Sequence, residues 1–443
     1  MTDFKDRKRE MKELDETLSR KGFAFEIIYG RRRIGKTELI LQATKHKKRI
    51  YYLATGENNL ERFYNTCAEQ DKGILNLKKD YEVIFDYLKD KFDVLIIDEF
   101  QNLIKENSNF LNILQAIVDL KLKNSNLKLF ILGSSVSIIT SKVLSYKSPV
   151  YGRKTASLKL KPVSFFDLKE FFPGRSAEEL VNIYGFADGI PFYLIKIDRE
   201  FWGWLKEELL REKGFLRDEV DFLMKLEFED AGTYKLILQA VANGKTTINE
   251  IKDFIKVQRT DLSPYIKNLI EIGFIKREVS ITENQKSRKG RYYLNDNFLK
   301  FWFRYIYSNL SSIEQGIFKL ENIKKDYPSY LGYIFEDICK QRLIESKIFN
   351  FSKIGRWWHK DKEIDLVALD GEKEEILLGE CKWQDNVSAE KIVKELEEKS
   401  KFVEWRNDKR KETFVIFAKS FKKKIKEIDG RKVYCFDLES IEK

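Results

Sequence analysis

Cysteine and histidine are scarce in this chain of 443 residues, and neither is arranged for chemistry. Its four cysteines, Cys67, Cys339, Cys381 and Cys435, are scattered without a C-x-x-C pair, and there are only 2 histidines. This pattern excludes a Cys/His zinc site and a disulfide framework and points to a reducing compartment. No apolar run approaches the ~18 residues of a membrane span, so no membrane partner is expected. The densely charged residues 1–21 lack the apolar stretch of a secretory signal. The expected location is the cytoplasm. Internal repeats and low-complexity linkers are also missing, so domain boundaries must be read from changes in pattern.

What is present is core-forming material and charge. Hydrophobic residues make up 43% of the chain, with 33 Phe and 20 Tyr, which excludes a disordered protein. The length allows roughly three domains. A net charge of +11 favours polyanionic partners, but charged residues are 35% of the chain and both signs are interspersed, so charge alone points only weakly to nucleic acid. Abundant Lys, Glu, Ile and Tyr would also suit a thermophile.

The densest information lies near the N-terminus. Gly30, Arg31, Arg32, Arg33, Ile34, Gly35, Lys36 and Thr37 follow an apolar run over 23–29 and lead into a helical pattern over 38–44. Strand, glycine-rich turn and helix start form a P-loop, whose backbone N–H groups face a triphosphate. Lys36 is expected on the β/γ oxygens and Thr37 on Mg²⁺. The apolar run 94–97 ends in Asp98 and Glu99, as a buried parallel strand ends at an ATPase site. Asp98 would support the Mg²⁺ hydration shell, and Glu99 would orient or deprotonate the attacking water.

Strands expected near 25–29, 50–54, 94–97 and 128–132, with helices between them, give βαβ grammar to residues 1–195. The strand at 128–132 runs into Gly133-Ser134-Ser135, where Ser134 could sense a γ-phosphate or simply belong to a loop. Arg153 could reach a phosphate in its own or a neighbouring subunit, or be a solvated arginine. Residues 196–229 are expected to be a helical lid or linker.

From about 230 the pattern changes to short helices. An apolar face over 234–242 ends at Gly244, a second helix over 248–255 follows Thr246 and Thr247, and a third starts with Ser263 as N-cap and Pro264 in its first turn, ending at Gly273. Two β-like runs, 274–281 and 291–294, flank a basic loop. This order predicts a winged helix-turn-helix over 230–312, with Lys267 exposed on the recognition helix and Lys286, Arg288, Lys289 and Arg291 on the wing near phosphates. The other reading of such a module is a protein-contact lid.

Residues 313–443 carry a second constellation. A helical pattern over 330–345 contains Glu336, and strand-like runs over 353–359, 363–369 and 376–383 carry Asp365 and the triplet Glu380-Cys381-Lys382. Alternation points Glu380 and Lys382 to one face, where Asp365 on the adjacent strand can meet them. Two hard carboxylates suit Mg²⁺ or Mn²⁺, with Glu336 completing the shell and Lys382 positioning water for phosphodiester cleavage. The other reading is a structural salt-bridge cluster. Cys381, Trp357 and Trp358 are expected to be packing residues.

These residues resemble known families. Phe4, Arg7 and Glu10 in F-x-x-R-x-x-E, then GRRRIGKT, VLIIDEF, LGSS, YGR and Gly189-Ile190-Pro191, resemble archaeal-type ATPases of the STAND/AAA-related P-loop group. The resemblance implies that Phe4, Arg7 and Pro191 lie by the adenine of ATP and that the YGR arginine, Arg153, is a recurring feature. The tail, with G-x-x-x-E, EIDLVA and GECKW, is similar to the C-terminal domain that accompanies these ATPases, in the PD-(D/E)xK nuclease superfamily. Ile364 stands where that name implies proline. The implied fold is α/β multidomain: a P-loop NTPase parallel sheet, a winged helix-turn-helix, and a restriction-endonuclease-like α/β domain over 313–443. The expected function is ATP binding and hydrolysis coupled to DNA binding and metal-dependent DNA cleavage. The alternative is a nucleotide-switched DNA- or protein-binding regulator whose nuclease-like domain is catalytically silent. A homo-oligomer, needed if Arg153 acts in trans, and a protein trigger are the further partner classes.

Overall fold

The computed structural model describes residues 4–211, 214–256 and 261–442. Residues 1–3 and 443 of the outer domains, 212–213 of the expected lid and 257–260 of the expected helix-turn-helix lie outside the described residues. The chain forms two compact units, Met1–Val163 with Ile190–Phe192, and Ser164–Gly189 with Tyr193–Lys443.

The first unit is a parallel five-stranded sheet. Its strands are β1 (Ala24–Tyr29), β2 (Arg49–Leu53), β3 (Val94–Asp98), β4 (Lys128–Gly133) and β5 (Ala156–Lys159), in the order β2-β3-β4-β1-β5. Side-chain alternation explains the unbroken apolar runs. Phe25, Ile27, Leu95, Ile97, Leu129 and Ile131 enter one core, whereas Ile28, Val94, Ile96, Phe130 and Leu132 enter another, because helices cover both faces. The four expected strands are present. The fifth was missed because Ala-Ser-Leu-Lys at the sheet edge alternates between half-buried and exposed positions and offers no apolar run. The order brings the C-terminal ends of β1, β3 and β4 side by side, where parallel sheets place their ligands.

The second unit begins with helices built on aromatic packing. Phe186 packs edge-on against Trp204, Phe298 and Phe301, and the buried Trp302 indole donates to the Leu216 carbonyl at 2.6 Å. Helices Ala231–Ala242, Ile248–Ile255 and Ser263–Ile272 then lead to the antiparallel pair β6 (Ile275–Glu278) and β7 (Arg291–Leu294). Thr247 and Glu250 form a reciprocal capping box on the second helix. Ser263 is not the cap of the third: the helix already includes it, with Leu262 as N-cap, and Asp261 Oδ1 accepts from its N–H at 2.9 Å.

The helix Leu320–Ser346 begins ten residues before the expected start at 330 and contains Pro328. Proline removes one backbone donor, but buried Ile323, Tyr327 and Tyr330 hold the helix on both sides of it. Beyond it lie β8 (Lys353–His359), β9 (Lys362–Asp370), β10 (Glu375–Lys382), β11 (Val387–Ser388), β12 (Lys411–Ala418), β13 (Phe421–Lys423), β14 (Glu427–Ile428) and β15 (Arg431–Phe436). Six of them form a mixed sheet in the order β14-β15-β12-β10-β9-β8. Strands β8, β9 and β10 are antiparallel neighbours, whereas β10, β12 and β15 run parallel. No helix among the described residues is long and apolar enough to cross a membrane.

Candidate active sites

The loop after β1 is shaped by two glycines. A Cβ on Gly30 would sit 2.6 Å from the Leu160 carbonyl oxygen, and Gly35 adopts φ +89° immediately before helix Lys36–Ala43. The loop therefore needs glycine at both ends. Buried Lys36 donates from Nζ to the carbonyls of Gly30 and Arg31 at 2.9 and 3.0 Å, holding the ammonium inside the loop it would serve. Arg33 lies with its guanidinium 4.1 Å over the Phe192 ring, and the Phe192 N–H donates to the Arg33 carbonyl at 3.4 Å. Pro191 approaches the Gly35 position.

The N-terminal box clamps this loop from another direction. Buried Arg7 donates to the Ile34 carbonyl at 3.2 Å and to Glu10 at 2.9 Å, while Phe4 packs on the core that contains Ile34. Thus Arg7 and Pro191, far apart in sequence, both contact the phosphate-loop segment.

At the end of β3, Asp98 Oδ2 accepts from Thr37 Oγ1 at 2.5 Å and from the Tyr51 hydroxyl at 3.0 Å. Burial, followed by the Asp98 charge, raises the Tyr51 phenol, which remains a donor. Thr37 and Asp98 are the pair that would hold Mg²⁺, and their contact fits that task. Glu99 sits in the left-handed region at φ +51°, a conformation that costs a non-glycine residue about 1–2 kcal/mol. It accepts from Ser134 Oγ at 2.6 Å and from the Gln101 amide, and Arg32 lies 3.7 Å from it. Tyr51 and Gln101 were not anticipated, because hydrogen bonding from a neighbouring strand or following turn leaves no local motif. Arg153 is placed differently: its guanidinium forms a forked pair with Asp119 at 2.6–2.9 Å and donates to the Pro149 carbonyl at 2.7 Å.

The second constellation lies on β9, β10 and the helix Leu320–Ser346. Asp365 Oδ2 accepts from the Cys381 N–H at 2.9 Å, fixing it beside the triplet. Lys382 Nζ donates to Glu380 Oε1 at 2.7 Å. Burial raises the Asp365 carboxyl, the Glu380 charge adds to this, and the Cys381 N–H opposes it. Burial likewise raises Glu336, with Arg356 opposing and Asp365 reinforcing the shift. Burial alone would lower Lys382, but Glu380 and its hydrogen bond leave it raised. Burial therefore disfavours the ionised form of these carboxyls unless a positive charge lies beside them.

The expected three-carboxylate cluster is not assembled. Among the described residues no group of three His, Cys, Asp or Glu side chains is placed to hold a metal, and two cations that sequence reasoning missed explain this. Lys399, on helix Ala389–Ser400, donates to both Glu380 oxygens at 3.1 and 3.2 Å. Arg356 pairs with Glu336 and lies 3.5 Å from Glu363. The β8–β9 register shifts between Gly355 and Trp357, a bulge of the kind that re-aims a side chain near a site.

The base of the expected wing is docked, whereas Lys286, Arg288 and Lys289 near its tip are exposed. The Ile281 N–H donates to the Arg356 carbonyl at 2.9 Å, Ile281 enters the C-terminal core, and Arg291 lies 4.8 Å over Trp358. Lys289 pairs with Glu283 at 2.8 Å. Lys267 is exposed as expected.

Residues 4–197 match the family described as an ATPase domain predominantly from Archaea, and residues 302–395 match Archaea bacterial proteins of unknown function. The first unit thus carries an ATPase domain of the archaeal type on a parallel α/β sheet. Over 68% of its length the chain shares its fold with the Walker-type ATPase PABY2304 of Pyrococcus abyssi, with a TM-score of 0.54 and 22% identity over 96% of that chain. The Aeropyrum pernix ORC2 protein, in its ADPNP–ADP complexes, gives a TM-score of 0.46 and 15% identity over 71% of this chain and 97% of that one. The chain belongs to the family of the uncharacterized protein MJECL04 of Methanocaldococcus jannaschii, with which it is 53% identical over 407 residues, 90% of this chain and 92% of that protein.

Proposed function

We propose that this chain binds and hydrolyses ATP at the loop 30–37 and cuts DNA at its C-terminal carboxylates with Mg²⁺ or Mn²⁺. The observation that carries the cleavage reading is the juxtaposition of Asp365 with the Glu380-Cys381-Lys382 triplet through the 2.9 Å hydrogen bond from Cys381. In this reading residues 313–443 are a PD-(D/E)xK nuclease-like domain of restriction-endonuclease-like fold. Residues 1–195 are the ATPase domain, 196–229 a helical lid, and 230–312 a winged helix-turn-helix.

At the ATP site, Lys36 would leave the loop carbonyls for the β/γ oxygens, and Thr37 and Asp98 would hold Mg²⁺. Glu99 would orient the attacking water while Ser134 ties that carboxylate to the end of β4. At the second site Asp365 and Glu380 would hold the cation, and Glu336 would join after releasing Arg356. A bound divalent ion supplies charge neutralisation at the scissile phosphate and an acidified water. Lys382, held beside Glu380, would position that water.

A specific observation supports a second reading. Lys399 and Arg356 occupy the carboxylates as internal counter-ions, which suits a nucleotide-switched DNA- or protein-binding regulator with a silent nuclease-like domain. Incubating linear, branched and single-stranded DNA with Mg²⁺ or Mn²⁺, with and without ATP, separates the two. Cleavage by the wild type that is lost in Glu380→Ala and Lys382→Ala supports the nuclease. Salt-sensitive binding without scission supports the regulator. ATP binding by Lys36→Ala equal to that of the wild type refutes the assignment of the loop.

A further inference from the structure

A cavity of about 660 Å³ opens beside the C-terminal carboxylates, within the second unit. One wall is β6, β7 and the adjoining loop, and the other is helix Leu320–Ser346 with the β8–β9 edge; Glu336 and Asp365 both line it. Its volume lies within the roughly 300–1,000 Å³ range of small-ligand sites. A sphere of the cavity's volume is about 11 Å across, less than the roughly 12 Å width of the B-DNA major groove alone. A duplex is therefore too large to enter, while one or two unpaired nucleotides fit.

The lining chemistry matches an unpaired strand. Lys276, Lys300, Arg304, Lys340 and Arg356 supply cations. Lys276 pairs with Glu278 at 2.9 Å and shares Asp337 with Lys300 at 3.2 and 3.7 Å, and the lining still holds six Lys or Arg side chains against four Asp or Glu. Tyr333, on the helical turn before Glu336, lines the cavity and is 62% exposed, which leaves ring surface open to a base. Buried Glu278 Oε2 has no hydrogen-bond partner among the described residues and would accept from an exocyclic amino group.

We propose that this cavity binds a single strand of DNA, with Tyr333 stacked on a base and Lys276, Lys340 and Arg356 on the phosphates, so that the C-terminal site receives unpaired rather than duplex DNA. The docked wing fits this assignment. With Ile281 bonded to Arg356 and Arg291 lying on Trp358, the base of the wing is fixed, and Lys276, Glu278 and Tyr293 from its strands line the cavity. This inference deepens the nuclease reading and rests on it for the site that the strand reaches.

The test measures fluorescence anisotropy of the full chain with labelled oligo(dT), oligo(rU) and a blunt duplex in EDTA, where cleavage is absent. Oligo(dT) should bind at least about tenfold tighter than the duplex. Tyr333→Ala should lose about 5- to 150-fold of that affinity, the range for one base–aromatic stack, and Tyr333→Phe should restore it. Duplex binding equal to or tighter than oligo(dT), equal binding of oligo(rU), or unchanged affinity in both Tyr333→Ala and Lys340→Gln overturns the proposal. The same oligonucleotides with Mg²⁺ test the nuclease reading separately. Single-strand binding without scission defeats that reading and leaves the cavity assignment, whereas duplex scission without single-strand binding does the reverse.

Discussion

Ser134 Oγ donates a 2.6 Å hydrogen bond to Glu99 Oε2, tying the end of β4 to the carboxylate that follows β3. Gln101 donates to Ser134 at 3.1 Å and also to Glu99. The carboxylate is thus held by two neutral donors, with Arg32 3.7 Å away, in a strained backbone position rather than left to choose its rotamer.

Ser134→Ala should leave ATP binding within about twofold and reduce turnover about tenfold, about 1.4 kcal/mol at the barrier. Steady-state ATP hydrolysis beside equilibrium binding of a fluorescent ATP analogue checks this. An equal loss in both would mean that Ser134 supports the loop rather than Glu99.

Arg7 presents a different dependence. Its buried guanidinium bridges Glu10 and the Ile34 carbonyl, and a hydrogen bond to a charged group contributes about 1.5–3 kcal/mol. Arg7→Met should destabilise the first unit by about 2 kcal/mol and weaken ATP binding, because the loop loses its clamp. Thermal melts with and without ATP report both effects, and an unchanged melt would remove the clamp argument.

Much of this site was legible because its key residues are contiguous. The loop 30–37 and the pair Asp98-Glu99 each occupy one short segment whose spacing follows from strand and turn geometry. The C-terminal strands carrying Asp365, Glu380 and Lys382 were legible from alternation. Lys399, Arg356, Tyr51 and Gln101 were not, since what each touches is set by tertiary packing. The same reason hid the docking of Ile281, which reads locally as one more residue of a wing strand. Pro328 misled in the opposite direction: a local breaker lies within a helix that long-range burial sustains.

The carboxylates at the second site set a pH dependence with a definite sign. Glu336 and Asp365 both have folded values raised by burial above the ordinary 4.5 and 3.8. The stability they contribute is fully present below those ordinary values and is lost as pH rises through the raised ones. Melting in EDTA should therefore fall as pH rises from 5 to 8, and Mg²⁺ should restore more at pH 8 than at pH 5. A site saturated at 100 times its Kd gains about 2.7 kcal/mol. Melts of the wild type and Asp365→Asn across this range test it: an equal Mg²⁺ gain at both pH values in the wild type would contradict cation binding by these carboxylates.

Glu26, in the centre of β1, is 2% exposed, and its Oε2 has no partner among the described residues. Burial raises its carboxyl, with Thr17 opposing by a hydrogen bond and Glu13 adding to the rise. An unsatisfied buried polar atom costs about 1–3 kcal/mol. Glu26→Leu should stabilise the first unit by that order at pH 8 and by less at pH 4, where the wild-type carboxyl holds its proton. Chemical denaturation at the two pH values measures the difference.

The bond from Ile281 to the Arg356 carbonyl also protects the sheet. Strand β8 is the last strand in its order, and an outer strand with open N–H and C=O groups is a template for pairing with other chains. Here a segment 75 residues earlier in the chain, counted from Ile281 to Arg356, lies against that border, and Arg291 covers Trp358 beside it. A fragment starting at residue 302, where the C-terminal family match begins, would lose both covers. Its exposed border would favour self-association, so the segment carrying Ile281 and Arg291 shields the outer strand of the domain that follows it.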